Sequence, residues 1–205
     1  MEDKEHLRIK VLMKRESITD DVREQKSNDI CNQLENLILE HFEPQNTHPL
    51  VGLYSAMNSE VNLLPLIERG EEHGWRLCFP FMISCEENPL THKRSRMEFF
   101  EPSYDDLADK NVEFLRHPLH RYSNPEVKAL TYRHVDPREI DVLAVPLLAF
   151  DNQGHRMGYG GGNYDQFIPQ LRNDAIMAGI AFDEQYVEEV PCEPHDQLLP
   201  LVLHA

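Results

Sequence analysis

Between residues 140 and 167 the chain reads IDVLAVPLLAFDNQGHRMGYGGGNYDQF. An unbroken apolar run leads into a polar stretch, glycines stand at 158, 160, 161 and 162, and a helix-like pattern resumes near residue 163. Few folds accommodate that order. A run that is apolar at every position, rather than at alternate ones, predicts a strand covered on both faces, as in parallel α/β sheets. Glycine adopts backbone angles other residues find costly. It also leaves loop amides and the next helix N-terminus open to an anion. Ligands of such sheets bind beyond the carboxyl ends of the strands, which is where these glycines fall. The string lacks the GK[ST] of a P-loop and the setting of a dinucleotide fingerprint. It reads as a phosphate cradle to which Arg156 adds a full charge. A structural turn and a loop for some other ligand are the alternatives.

The rest of the chain supplies the layers such a strand needs. KEHLRIKVLMKR, at 4–15, has helical spacing, with Lys4 and Arg8 one turn apart. Those two cations are either solvated or brought to a phosphate. Thr19 is a plausible N-cap for a longer helix to Phe42, whose apolar stripe is Ile30, Cys31, Leu34, Leu37 and Ile38. LVGLYS at 50–55 predicts a buried strand, 61–70 a helix ending near Gly70, and 75–79 a second strand. Further strands are expected at 96–100, 177–182 and the C-terminus, and a helix from about 163 to 171. Strand, helix, strand in this order predicts a single α/β domain over 1–205. The expected form is a Rossmann-like three-layer α/β/α sandwich around a mostly parallel central sheet.

Charge narrows the ligands. The 36 acidic against 20 Lys and Arg side chains give a net charge of −16. Such a chain is poorly suited to coat nucleic acid. An anionic small ligand would need positive charge gathered locally, and HKRSR at 92–96 offers Lys93, Arg94 and Arg96 as either a solvated loop or an anion patch. No run is long and apolar enough for a bilayer. The opening MEDKEHLRIK has no signal-like apolar segment, so a cytoplasmic protein without membrane attachment is expected. Cys31, Cys78, Cys85 and Cys192 have no metal-site spacing and are expected as thiols.

Carboxylates and rings near the predicted loops are the remaining candidates. Asp165, just past the glycines, either compensates a helix dipole or holds Mg²⁺, and Asp196 is a second oxygen ligand if the two loops converge. Glu60, beyond the first strand, is either a cap or an acceptor for a ligand rich in amide and amine groups. Tyr54 and Tyr122 either pack in the core or stack on a ring, and Met57 and Met97 either fill gaps or line an apolar groove. His195 reads as a surface or hydrogen-bonding residue, with acid–base chemistry as its rival.

Residues 141–167, with KxxLR at Lys4–Arg8, YSAMNSEVNLLPLIERG, RLCFP and VEEVPCEPHD, resemble the 5-formyltetrahydrofolate cyclo-ligases, also called 5,10-methenyltetrahydrofolate synthetases. The resemblance spans nearly the whole chain and rests on the order of the motifs together. It implies an ATP-dependent enzyme that converts 5-formyltetrahydrofolate to 5,10-methenyltetrahydrofolate with release of ADP and phosphate, using Mg²⁺. By motif, Lys4, Arg8, Arg156, Gly158, Tyr159, Gly160, Gly161, Gly162, Asn163 and Tyr164 would meet the nucleotide, with Lys4 and Arg156 acting on the phosphoryl group. Asp165 and Asp196 would accompany Mg²⁺. Tyr54, Ser55, Met57, Glu60, Tyr122 and Tyr164 would border the reduced folate. A monomer is expected, with these two small molecules as its partners. The chain departs from the family pattern at Leu63, around Asn124, and at Asn163 and Gln166, where a hydroxyl, a GIxEP-like stretch, an aromatic and a basic residue are usual. A folate-binding homologue with little turnover and an ATP-dependent enzyme for another anionic small molecule are the competing expectations.

Overall fold

A computed structural model of the chain describes residues 3–43, 47–87, 94–109, 112–193 and 196–205. Helices α1 (Lys4–Glu16) and α2 (Asp20–Phe42) come first, followed by β1 (Leu50–Gly52), α3 (Pro65–Glu72), β2 (Arg76–Ser84) and β3 (Ser95–Glu101). Short pieces then carry the chain across the sheet: α4 (Tyr104–Ala108), α5 (Glu113–Arg116), β4 (Arg121–Tyr122), α6 (Asn124–Ala129) and β5 (Arg133–Val135). The central strand β6 (Val142–Pro146) leads into a hairpin of β7 (Ala149–Phe150) and β8 (Arg156–Met157). Helix α7 (Asn163–Phe167), β9 (Ile176–Ala181) and β10 (Leu201–His204) complete the chain.

The sheet runs β10-β9-β6-β1-β2-β3-β5, with β4 on the free part of β2. From β10 to β2 every pairing is parallel, and β3 and β5 add an antiparallel edge. Alternation in the strands sorts side chains to two faces. Val51, Leu53, Val142, Ala144, Leu77 and Phe79 meet Ile30, Leu34 and Ile38 of α2. Leu50, Leu143, Val145, Cys78 and Phe99 meet Phe167 and Ile168 on the other side. The sandwich is therefore the Rossmann-like three-layer form expected from the sequence. Gly52 leaves room for the Leu143 side chain of β6, since a Cβ there would sit 2.8 Å from Leu143 Cδ1. Among the described residues no helix is long and apolar enough to cross a membrane.

Two features place the site. The parallel strands lie in the order second, first, third, fourth, fifth of their chain order, so the direction of progression reverses between β1 and β6. A crevice opens beyond the carboxyl ends of strands at such a reversal. Helix α1 also stands apart from the main core. Its Leu7 and Val11 pack on Ala149, Met157 and Val190, which lays the helix along the β7–β8 hairpin.

Candidate active site

Beyond the ends of β1 and β6 lies a cavity of 460 Å³. One wall is the loop after β1, which brings Tyr54, Ser55, Met57, Asn58 and Glu60. The opposite wall is the glycine loop with Arg156 at its root, and Pro80, Met82, Met97 and Pro146 close the sheet side. A larger cleft of 790 Å³ opens between α3 and the 104–116 segment, sharing Ser55. Chemistry favours the smaller one. Glu60 Oε1, Arg156 Nε and the Tyr164 hydroxyl are buried polar atoms without a hydrogen-bond partner, and all three residues line the smaller cavity. Buried polar groups are nearly always paired, so three orphans around one space mark a place for a polar ligand.

Each wall is fixed by identifiable contacts. The β1 loop turns on Asn58, at φ 51°, and the Met57 N–H donates to Glu60 Oε2 at 2.8 Å. Tyr54 Oη donates to the Val61 carbonyl at 3.1 Å, and Ser55 Oγ to the Leu115 carbonyl at 2.6 Å. In the glycine loop, Gly160 (φ 90°) and Gly162 (φ 55°) occupy the left-handed region, which a side chain enters only with strain. Gly158 has ordinary φ and open space where a Cβ would lie, so its lack of a side chain serves the cavity rather than the backbone.

Arg156 lies on β8, not in a loop, and its guanidinium is buried. Its Nη2 donates to Asp165 Oδ1 at 2.7 Å, and that oxygen also accepts from the Gln197 backbone N–H at 3.3 Å. Burial pushes the Glu60 carboxyl above its ordinary pKa, while the Met57 N–H and the Arg15 charge pull it back. Burial likewise drives the Tyr164 phenol upward, reinforced by Glu60, so it stays a protonated donor.

The residues expected from the sequence divide into three groups. Tyr54, Ser55, Met57, Glu60, Arg156, Gly158, Tyr159, Gly161, Gly162, Asn163, Tyr164 and Asp165 line the cavity, as does Met97. Lys4 and Arg8 lie behind the glycine loop, and Gly160, within the loop, faces Arg8 rather than the cavity. Arg8 Nε donates to the Gly158 carbonyl at 3.1 Å, and a Cβ on Gly160 would meet Arg8 Nη2 at 3.6 Å. Lys4 Nζ pairs with Glu193 at 2.9 Å and Asp196 at 3.3 Å. Burial works against that ammonium, but the two carboxylates outweigh it and raise its pKa, so it remains charged. Tyr122 stands away from the site. It is buried in the core, stacked on Phe81 with ring centroids 4.0 Å apart, because β4 pairs with β2 and turns its ring inward. Leu63, where the family pattern has a hydroxyl, is also core, and Asn163 Nδ2 approaches Met82 Sδ at 3.7 Å. Lys93 and His195 lie outside the described residues, and Arg94 is engaged by Glu87 at 2.9 Å.

The two acidic loops do meet, because the Gln197 N–H that reaches Asp165 directly follows Asp196. Their carboxylates are turned to different cations, Arg156 and Lys4. Among the described residues no group of three metal-ligating side chains forms. Two carboxylates nonetheless suit Mg²⁺, which typically takes one or two from the protein and the rest from phosphates and water. Sequence reasoning missed Arg15, buried at the end of α1 between Ser59 and Tyr159. Near a helix C-terminus an arginine reads as a dipole partner. A usable signal was there. At about 100° per residue, Lys4, Arg8 and Arg15 fall within about 40° of one another on the helix.

The 5-formyltetrahydrofolate cyclo-ligase family model matches residues 1–205. A 5-formyltetrahydrofolate cyclo-ligase of Escherichia coli K12 is 30% identical over 155 residues, 75% of this chain and 76% of the relative. The enzymes of that name from Mycoplasma genitalium and Haemophilus influenzae match more locally, at 38% identity over 69 residues and 44% over 59. Those two matches take in 34% and 28% of this chain and span only 41% and 32% of the relatives' length. Among solved structures, a 5,10-methenyltetrahydrofolate synthetase from Mycoplasma pneumoniae superposes with a TM-score of 0.71 over 98% of both chains at 19% identity. Another from Aquifex aeolicus gives 0.64 at 21% identity, over 98% of this chain and 89% of its own. Those two likenesses are of fold. With the family model matching from end to end, the chain belongs to the 5-formyltetrahydrofolate cyclo-ligase family.

Proposed function

We propose that this chain, acting as one domain, converts 5-formyltetrahydrofolate to 5,10-methenyltetrahydrofolate at the expense of ATP, releasing ADP and phosphate. The observation that carries the reading is the convergence of Glu60, Arg156 and Tyr164, each with an orphaned buried polar atom, on one cavity bounded by glycines.

The reaction explains why those groups are needed. A formamide oxygen is a poor leaving group. Attack of that oxygen on the terminal phosphorus of ATP breaks the bond to ADP and makes the oxygen a phosphate ester. Folate nitrogen-10 then adds to the activated carbon and closes the five-membered ring, and expulsion of phosphate with loss of the nitrogen-10 proton leaves the methenyl bridge. Both nitrogens belong to one molecule, so a cavity that holds the ligand folded makes closure intramolecular. Arg156 and the amides around Gly158, Gly161 and Gly162 supply fixed positive potential to the phosphoryl group in transfer. Glu60 accepts from the amide and amine groups of the reduced pterin. Tyr54, Ser55 and Met57 border that ring, with the Tyr164 hydroxyl as donor between the ligands. Lys4 and Arg8 reach the nucleotide phosphates from behind the loop, flanked by Gly160 and Asn163, while Tyr159 turns to the folate side beside Arg15. Asp165, with Asp196 beside it, would hold Mg²⁺, whose chemistry is to neutralise phosphate charge. A monomer in the cytoplasm, with no nucleic-acid or membrane partner, fits this small-molecule role.

Purified protein mixed with ATP, Mg²⁺ and 5-formyltetrahydrofolate should form methenyl absorbance and ADP in equal amounts. Tight binding of the folate without ADP release would refute the enzyme and leave a binding protein. ADP release only with a different anionic acceptor would move the activity to another substrate.

A further inference from the structure

The two walls of the cavity are gripped by a single guanidinium. Arg15, in the last turn of α1, is 1% exposed. Its Nε donates to Ser59 Oγ at 3.0 Å, one residue before Glu60. Its Nη2 donates to the Tyr159 hydroxyl, and the tyrosine ring covers the guanidinium with its centroid 5.6 Å from Cζ. One face of Tyr159 thus seals Arg15 from solvent while the residue lines the cavity. The fork geometry matters, because a lysine ammonium is a point donor and cannot hold two fixed acceptors in one plane.

Arg15 Nη1 is buried without a hydrogen-bond partner, an arrangement that works against stability. Its charge also bears on Glu60, opposing the effect of burial on that carboxyl. The other groups facing Glu60 are Tyr159 from the glycine loop, Tyr164 from α7 and Tyr54 from its own loop, and none of them is a cation. From these contacts we infer that Arg15 is a positioning residue: it sets the spacing between Tyr159 and Glu60, and with it the width and charge of the reduced-folate end of the cavity, without touching either ligand. This deepens the cyclo-ligase reading and rests on it.

The test uses the full chain and three substitutions, Arg15→Met, Arg15→Lys and Tyr159→Phe, with the double variant Arg15→Met/Tyr159→Phe. Turnover by the unchanged protein is measured first, and its absence refutes the functional reading. Given turnover, Arg15→Met and Tyr159→Phe should each raise KM for 5-formyltetrahydrofolate about tenfold and leave KM for ATP within about twofold. The double variant should be no worse than Arg15→Met alone, the mark of one shared interaction. In Arg15→Met the acid limb of kcat/KM for the folate should move to higher pH, since Glu60 loses its nearby cation. Arg15→Lys should restore the limb but not the full KM. An unchanged folate KM, an equal rise for both substrates, or additive losses would overturn the inference. Should Arg15→Met fail to fold, Tyr159→Phe and Arg15→Lys decide by the same criteria. Without turnover, affinities for 5-formyltetrahydrofolate measured in the absence of ATP decide instead. Equal values across the variants, or no binding at all, overturn the inference.

Discussion

Asp165 has two jobs assigned to it that predict opposite results. It neutralises the buried Arg156, and in the proposed reaction it also holds Mg²⁺. Asp165→Asn separates them, because the amide keeps an oxygen acceptor for Arg156 Nη2 and drops the charge. The side chains are 5% and 17% exposed for Arg156 and Asp165, and the bond is 2.7 Å long. Removing one partner of a buried pair costs about 3–5 kcal/mol. With a hydrogen bond retained and the pair on the rim of a cavity, about 2 kcal/mol is the reasonable share. For a chain of this length that lowers the melting temperature by about 4–8 °C. A nucleotide phosphate in the cavity would replace the lost charge, so ATP without Mg²⁺ should raise the variant's melting temperature more than the unchanged protein's. ATP with Mg²⁺ should favour the unchanged protein, which retains both carboxylates. Thermal melting with and without each ligand measures all four cases. A variant that melts within about 1 °C of the unchanged protein would refute the ion-pair argument. An equal Mg²⁺ response in both proteins would refute the metal assignment.

Gly162→Ala, forced into the left-handed region, should lose about 1–2 kcal/mol of stability by denaturant unfolding. Gly158→Ala should keep its stability and bind ATP several-fold more weakly, and unchanged ATP affinity would remove the cradle role of that position. Glu60 sits above its ordinary pKa in the folded state. By linkage its contribution is fully present below the unfolded carboxyl pKa and lost as pH rises through the folded one. Glu60→Gln should therefore melt higher than the unchanged protein near pH 7, lose that advantage in acid, and bind 5-formyltetrahydrofolate at least about tenfold more weakly. Identical melting curves at both pH values would contradict the first part. Tyr122→Phe removes a buried hydroxyl that has no partner. It should match or exceed the parent in stability and leave the folate KM within about twofold, whereas a large rise in KM would return Tyr122 to the site.

The layers were legible because hydrophobic periodicity and the apolar run at 142–145 carry their own period. The stripe on α2 and the two-face sorting of β1 and β6 follow directly from it. Boundaries were less legible where function bends the chain. The strand expected through Ser55 stops at Gly52, since beyond Leu53, whose N–H still bonds Cys78, the chain leaves the sheet and 54–60 becomes a cavity wall. The strand expected to end at Phe79 runs through Pro80 to Ser84. Pro80 falls between the stretch paired to β1 and the one paired to β4, where a missing N–H is tolerated. Gly70, read as a helix stop, is inside α3, where the absent side chain leaves room for Tyr104, whose hydroxyl would lie 2.8 Å from a Cβ. The β7–β8 hairpin escaped notice because two-residue strands have no detectable period. Its turn is fixed instead by Asp151, which accepts from the N–H groups of Gln153, His155 and Val190.

The acidic balance and the anionic ligands are reconciled by α1. Lys4, Arg8 and Arg15 share one face of that helix, and each is met by a different part of the site. Lys4 meets the 193–196 carboxylates, Arg8 the Gly158 carbonyl, and Arg15 the walls on both sides of Glu60. Arg8 and Arg15 are anchored by neutral acceptors, so their positive potential is held in place, whereas the charge of Lys4 is offset by its two carboxylates. Fixed charge of this kind needs no reorganisation when a phosphate arrives, which is what electrostatic catalysis requires. It also links the two ends of the cavity through one rigid element. A shift of α1 along the hairpin would move the cations behind the glycine loop and the Tyr159–Glu60 spacing together. In the proposed reaction the nucleotide and folate ends would therefore be mechanically coupled, with Leu7 and Val11 packed on Met157 as the contact that sets the register.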